Sequence, residues 1–256
     1  MNLALRNRRA LIIGGSSGIG AAIALSLAAE GADLTLAARR LDRLDAVVSR
    51  AKESGASDAR SMIVDLEDPA SVTRFSHELV NGSWHPEILI LNGGGPKPGS
   101  IATLQLEDWD RAYQSTFRSM LSLAYAVLPG MRTAKWGRIV ALTSTTVKQP
   151  IANMPLSNSF RIALLSTMKT LAGDVAHEGI TVNSIATGRI RTDRLRELYG
   201  SDAAMDSAAT NEIPIGRVAE PEEFAPLVTF LCGEPARYIT GQTIAIDGGL
   251  VRGIFG

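Results

Sequence analysis

The 256-residue chain has one cysteine, three histidines, 5% aromatic residues and no surplus of either charge, with 26 Lys and Arg against 26 Asp and Glu. A lone Cys232 excludes a disulfide framework and suits a reducing compartment. A formal net charge of +0 removes the global field that would draw the protein to nucleic acid or to an anionic bilayer. His77, His85 and His177 lack metal-ligand spacing, so no metal is expected. No apolar run approaches the ~18 residues that span a bilayer; the best, Ala21 to Ala29, is interrupted by Ser26. In the opening MNLALRNRRALIIGG the apolar stretch Leu11 to Ile13 is far shorter than the roughly 7–15 residues of a secretory leader's core. The expectation is a cytoplasmic protein whose first strand lies there. The low hydrophobicity that marks disorder is also missing, since 45% of residues are hydrophobic.

What is present is a rhythm. Short apolar runs at Ala10 to Ile13, Leu34 to Ala38, Ser61 to Val64, Ile88 to Leu91, Arg138 to Leu142, Thr181 to Ile185 and Thr243 to Ile246 read as strands buried on both faces. Between them, apolar residues three or four apart, such as Ile19, Ile23, Leu27 and then Leu41, Leu44, Val48, give helices one apolar stripe. Gly31 closes the first helix, Asp68 and Pro69 sit as N-cap and first residue of another, and Pro129 ends the helical pattern begun near Trp109. Strand then helix, repeated, builds a doubly wound parallel α/β sheet of about seven strands with helices on both faces. With roughly 150 residues per domain as a guide, and no linker or repeat, residues 1–256 are expected to form one domain. The stretch from Gly188 to about residue 220 lacks a strand candidate and is expected to be a substrate lid, with Arg189, Arg191, Arg194 and Arg196 either serving it or forming a solvated basic face.

The first strand runs into GGSSGIG and then a helix, the context in which a glycine pattern carries weight. Gly14 turns the chain, Gly18 lets backbone approach a pyrophosphate, and Gly20 lets helix and sheet pack closely, while Ser16, Ser17 and the amides near Ile19 offer donors to an anion. About 20 residues on, where such folds place an acid for ribose hydroxyls, this chain has Ala38, Arg39 and Arg40. A guanidinium there pairs with a 2′-phosphate and favours NADP(H) over NAD(H).

At this point the chain resembles the classical short-chain dehydrogenase/reductase family, specifically its 3-oxoacyl-acyl-carrier-protein reductase-like members, over nearly its whole length. IGGSSGIG is similar to the family's glycine loop, with Ile13 in place of Thr. IVDLED resembles the adenine-contacting segment, at Asp65 and Leu66, and LNGGG the Asn-Asn-Ala-Gly element, at Asn92, Gly93 and Gly94. GRIVALTS, VNSIATGRIRTD and YITGQTIAIDGG resemble the fifth strand, the segment after the sixth and the C-terminal strand. The resemblance implies a Rossmann-type domain, cofactor contacts at Gly188, Ile190 and Thr192, a small-molecule substrate, and a homotetramer or homodimer built on the helices near Trp109 to Leu128 and Ser157 to His177 and on the last strand.

The catalytic pattern departs from the family's. Ser144 occupies the serine position, but counting onward to the Tyr-x-x-x-Lys element reaches Ser157, Asn158, Ser159, Phe160 and Arg161, and the expected helix Asn is Thr116. The enoyl-reductase spacing would put its phenol at Met154. An aliphatic hydroxyl starts several pKa units above a phenol, at about 1.36 kcal/mol per unit, so Ser157 is a poor general acid. By resemblance Arg161 replaces the family lysine's charge and its hydrogen bonds to the nicotinamide ribose, a cofactor contact, but it cannot pass on a proton. Lys148 and Tyr199 are the other acid candidates, and more often such residues lie plainly at the surface. Cys232 reads as an inert core thiol, and Trp84, Trp109 and Trp136 as packing. Two readings follow: an NADP(H)-dependent carbonyl or alcohol oxidoreductase using Ser144, Ser157 and Arg161 in an altered site, or a catalytically silent NADP(H)-binding sensor or partner subunit.

Overall fold

A computed structural model describes residues 1–254 of the chain. Seven parallel strands, β1 (Arg9–Ile13), β2 (Asp33–Ala38), β3 (Asp58–Ile63), β4 (Ile88–Leu91), β5 (Gly137–Leu142), β6 (Ile180–Thr187) and β7 (Thr243–Ile246), form one sheet in the order β3-β2-β1-β4-β5-β6-β7. The central strands are apolar on both faces because both are covered. In β1, Ala10 and Ile12 join one core while Leu11 and Ile13 join the other; in β4, Ile88 and Ile90 divide from Leu89 and Leu91 in the same way. The first core packs against α1 (Gly18–Ala29), α2 (Leu41–Glu53) and α9 (Pro221–Cys232), and the second against α3 (Pro69–Asn81), α5 (Ser119–Ala134) and α6 (Pro155–Val175). The result is a single Rossmann-like α/β domain.

Three expectations need correction. The outermost strands are not buried on both faces: β3 begins at Asp58 rather than Ser61 and is fully buried only at Ala59, with Ile63 exposed, and β7 is half-buried throughout, because each has a neighbour on one side only. The segment near Trp109 is not ended by Pro129. It comprises α4 (Leu106–Tyr113), a π-helical turn over 114–118 and α5, which runs five residues past the proline to Ala134. A helix-interior proline costs about 3 kcal/mol, yet the buried row Met120, Leu123, Ala124, Val127, Leu128 and Met131 continues through it, and that burial outweighs the lost bond. Third, α1 carries more than a stripe: Ala21, Ala22, Ile23, Ala24, Leu27 and Ala28 are all buried, since the helix is held between the sheet and α9.

Elsewhere the local signals act as expected. Asp68 caps α3 by accepting the Ala70 N–H at 2.9 Å, Pro69 takes the first helical position, and Gly31 follows α1 with φ 79°. Cys232 is fully buried, and burial pushes its thiol up to about 12. Trp84 donates to Asp33 at 2.9 Å, Trp136 lies under the guanidiniums of Arg8 and Arg138, and Trp109 meets Phe160 edge to face at 5.9 Å. Among the described residues, no helix is long and apolar enough to cross a membrane, and no group of His, Cys, Asp and Glu could hold a metal ion.

Candidate active site at the carboxyl edge of the sheet

The strand order reverses between β1 and β4, and there the loops after both strands part to open a crevice. A cavity of about 900 Å³ fills it, lined from the glycine loop across to the segment 187–199. The loop's shape follows from close approach. Gly14 has φ 67° and its N–H bonds to Ala37 O at 2.7 Å, while Asn92 at the end of β4 donates Nδ2–H to Gly14 O at 3.2 Å. A Cβ on Gly20 would stand 2.1 Å from Gly14 O, so only glycine lets α1 start this close to the loop. Ser17, the N-cap of α1, makes no side-chain cap bond and the first turn holds no acid, which leaves the helix's first amides and its positive dipole end open to an anion. That is a cradle for a phosphate group.

The predicted residues converge on this cavity. Gly14, Ser16, Ser17, Gly18, Ile19, Arg39, Asp65, Leu66, Asn92, Gly93, Gly94, Ser144, Ser157, Arg161, Gly188 and Thr192 all line it. Two do not. Gly20 lies behind the loop, and Ile190 is 4% exposed, its side chain in the core beside the bridge from Ile190 to Ala219. Arg39 and Arg40 stand exposed at the end of β2, and among the described residues neither makes an ion pair. Their charge is available at the end of the cavity reached by Asp65 and Leu66. Asp65 Oδ1 accepts the Glu67 N–H at 3.0 Å, so this acid shapes its own turn.

Ser144 and Ser157 are brought together through a residue the sequence reading did not single out. Thr146 donates its N–H to Ser144 Oγ at 3.2 Å, and its Oγ1 shares a hydrogen bond with Ser157 Oγ at 3.3 Å. Thr146 thus links Ser144, in the turn after β5, to Ser157 at the start of α6, through its amide on one side and its hydroxyl on the other. One turn along α6, Arg161 is 9% exposed and donates from Nη1 to Leu142 O at 2.9 Å and from Nη2 to Gly94 O at 3.3 Å. Burial first, and the nearby Arg194 second, push its pKa down to about 10. Thr116 lies in the π-helical turn, 3% exposed, with Oγ1 unpartnered, and is not part of the cavity wall. Tyr199 lines the cavity, with the Arg189 guanidinium 5.2 Å from its ring centroid; Lys148 does not line it.

The segment after β6 carries α7 (Asp193–Tyr199) and α8 (Asp202–Glu212). Its arginines do not form a solvated basic face, because ion pairing consumes them: Arg191 with Asp206 at 2.6 Å and Glu220 at 2.8 Å, Arg196 with Asp202 at 2.9 Å, and Arg189 with Glu212. Arg194 instead turns to the cavity and donates to Pro96 O at 2.7 Å. At the rim, Asp108 accepts from Lys97 at 3.0 Å, Arg111 at 2.8 Å and the Gln105 N–H at 3.2 Å, which holds its carboxyl down at about 2. Lys97, Asp108 and Arg111 carried no sequence signal as site residues, and nothing in the sequence set Arg194 apart from the other arginines of its segment.

Comparison with known proteins places this architecture. The family model described as enoyl-(acyl carrier protein) reductase matches residues 14–251. The 3-oxoacyl-[acyl-carrier-protein] reductase FabG of Pseudomonas aeruginosa is 31% identical over 248 residues, covering 97% of this chain and 99% of that protein. The crystal structure of L-sorbose reductase from Gluconobacter frateurii, complexed with NADPH and L-sorbose, superposes with a TM-score of 0.92 at 32% identity, over 99% of this chain and 100% of that one. A 3-oxoacyl (acyl-carrier-protein) reductase from Agrobacterium tumefaciens with NADP bound gives 0.89 at 28% identity, over 95% of this chain and 94% of that one. Glycine loop, strand order and near full-length similarity agree: the chain belongs to the short-chain dehydrogenase/reductase family, among its 3-oxoacyl-acyl-carrier-protein reductase-like members.

Proposed function

We propose that the protein is an NADP(H)-dependent oxidoreductase acting on a carbonyl or alcohol substrate through an altered active site. The observation that carries this reading is the conjunction, in one cavity, of the open amides at the start of α1 with the unpaired Arg39 and Arg40 at the end of β2. Glycine-loop amides suit a pyrophosphate, and the guanidiniums suit a 2′-phosphate. The NADPH-bound and NADP-bound neighbours support the same cofactor. Bound NADPH supplies a hydride to a carbonyl carbon. Ser144, Thr146 and Ser157 offer hydrogen bonds to the carbonyl oxygen, and Arg161 stabilises the negative charge that grows there, an effect worth ~3–4 kcal/mol in oxyanion sites. With no phenol in the position of Ser157, water delivers the proton that completes the alcohol. Residues 188–220 act as the lid, and Arg194 joins it to the loop after β4.

One observation favours a second reading, a silent NADP(H)-binding sensor or partner subunit: Ser157 is 4% exposed and its hydroxyl already has a protein partner. Calorimetric titration with NADPH, followed by NADPH consumption with ketones, quinones and 3-oxoacyl thioesters, separates the two. Binding with turnover of at least one class supports the enzyme. Binding without turnover supports the silent protein, and absence of NADPH binding removes both.

A further inference from the structure

The cavity wall made by α6 and α7 carries positive charge that the protein does not neutralise. Arg161 is buried, yet its two hydrogen-bond partners, Leu142 O and Gly94 O, are neutral carbonyls, and among the described residues it has no carboxylate in ion-pair range. Arg194 spends one amine on Pro96 O, and its ion-pair partner, Glu197, lies 3.8 Å away with 69% of its side chain exposed. Asp108 and Asp193, which also line the cavity, are committed elsewhere, Asp108 to Lys97 and Arg111, and Asp193 to Arg43 and Arg196. Between the guanidiniums the chain is cleared of side chains. A Cβ on Gly94 would meet nothing within 4 Å, and one on Gly95 would press to 3.1 Å from Arg194 Nε.

A buried guanidinium without a counter-ion is costly, and the cost falls when a ligand brings the anion. Two of the five N–H donors of Arg161 are used, which leaves three for a ligand. The phosphates of the proposed cofactor are accounted for at the opposite side of the cavity, by the α1 amides and Arg39. The ribose hydroxyls that the family resemblance would bring to Arg161 are neutral and would not balance its charge. A planar fork of donors matches a carboxylate, which accepts two parallel bonds. Ser157 and Arg161 are one helical turn apart on α6 and line the same cavity, so one small substrate can present an anion to Arg161 and an oxygen to Ser157.

We propose that Arg161 and Arg194 form an anion subsite for the substrate's own carboxylate, so that the substrate is a short 2-oxo or 3-oxo acid, or the matching hydroxy acid, rather than a neutral ketone. The inference rests on the NADP(H) reading and narrows it. The test titrates the preformed NADPH complex with oxamate, an unreactive mimic of a 2-oxo acid, and with oxamide, its neutral isostere, by calorimetry. Oxamate binds about tenfold or more tighter than oxamide to the wild-type complex. Arg194→Gln, at a partly exposed position, narrows the gap about tenfold, Arg161→Gln abolishes it, and Arg161→Lys restores part of it. Turnover follows the same order, with 2-oxobutanoate and 3-oxobutanoate reduced in preference to their methyl esters. Equal affinity for oxamate and oxamide in a complex that does bind NADPH overturns the anion subsite alone. A preference that survives both substitutions places the anion elsewhere and overturns it too. Failure to bind NADPH removes the parent reading and this inference with it.

Discussion

Gly20 is the position where the structure makes its sharpest demand on the sequence, so Gly20→Ala is the most informative substitution. It sits in the first turn of α1, and its backbone carries no positive φ, so alanine meets no conformational penalty there. By helix propensity alone the change would stabilise the protein by about 1 kcal/mol. The packing says otherwise. The new methyl would stand 2.1 Å from Gly14 O, 2.8 Å from the Gly14 carbonyl carbon and 2.8 Å from Asn92 Nδ2. Two of these atoms are the partners of the 3.2 Å bond that ties β4 to the glycine loop. Relieving the contact moves backbone at a cost of ~1–3 kcal/mol, and losing the bond adds ~0.5–1.5 kcal/mol. Net of propensity, the loss is about 0.5–3.5 kcal/mol, which in a domain of this size lowers Tm by ~1–14 °C at roughly 2–4 °C per kcal/mol. Because the loop that moves is the proposed phosphate cradle, NADPH affinity falls about tenfold or more although Gly20 does not line the cavity. Gly94→Ala is the control: its methyl enters open cavity space, so Tm stays within about 1 °C while NADPH binding weakens. Differential scanning calorimetry and ligand titration read both. A Gly20→Ala protein that melts at or above the wild type, or a Gly94→Ala protein that melts below Gly20→Ala, refutes the loop geometry.

Two further outcomes follow from side chains already described. Arg39→Gln weakens NADPH binding by ~10- to 100-fold, the range of one hydrogen bond to a charged group at about 1.5–3 kcal/mol, and changes NADH binding by less than about threefold; an equal loss for both cofactors in parallel titrations shows that Arg39 does not read the 2′-phosphate. With its thiol near 12, Cys232 is about one part in 10⁴ thiolate at pH 8, so a disulfide reagent labels the native protein negligibly and the urea-unfolded protein at once, and fast native labelling would contradict the buried placement.

The layered sheet was legible because a parallel strand covered on both faces must be apolar at successive positions, and β1, β4 and β5 are. The edge strands were less so: β3 and β7 obey half-burial, and the interior pattern misjudged the start of the first and the burial of both. Pro129 misled for a related reason. A local rule about backbone donors met a row of buried side chains on α5, and local rules carry no information about what waits on the other side of a contact.

Taken alone, then, the order of residues determined the strand and helix sequence, the glycine loop at the first strand's end and the basic pair where an acid is customary, because each is written in a stretch of chain no longer than one element. The tertiary structure alone decided which side chains share a wall of the cavity. Thr146 joins Ser144 to Ser157, Asp108 gathers Lys97 and Arg111, and Arg194 crosses from α7 to Pro96 in the loop after β4. Four of the arginines after β6 look equivalent in the sequence; folding pairs Arg189, Arg191 and Arg196 with carboxylates and points Arg194 at the cavity. That difference is one of distance between charges in space, and a one-dimensional sequence does not contain it.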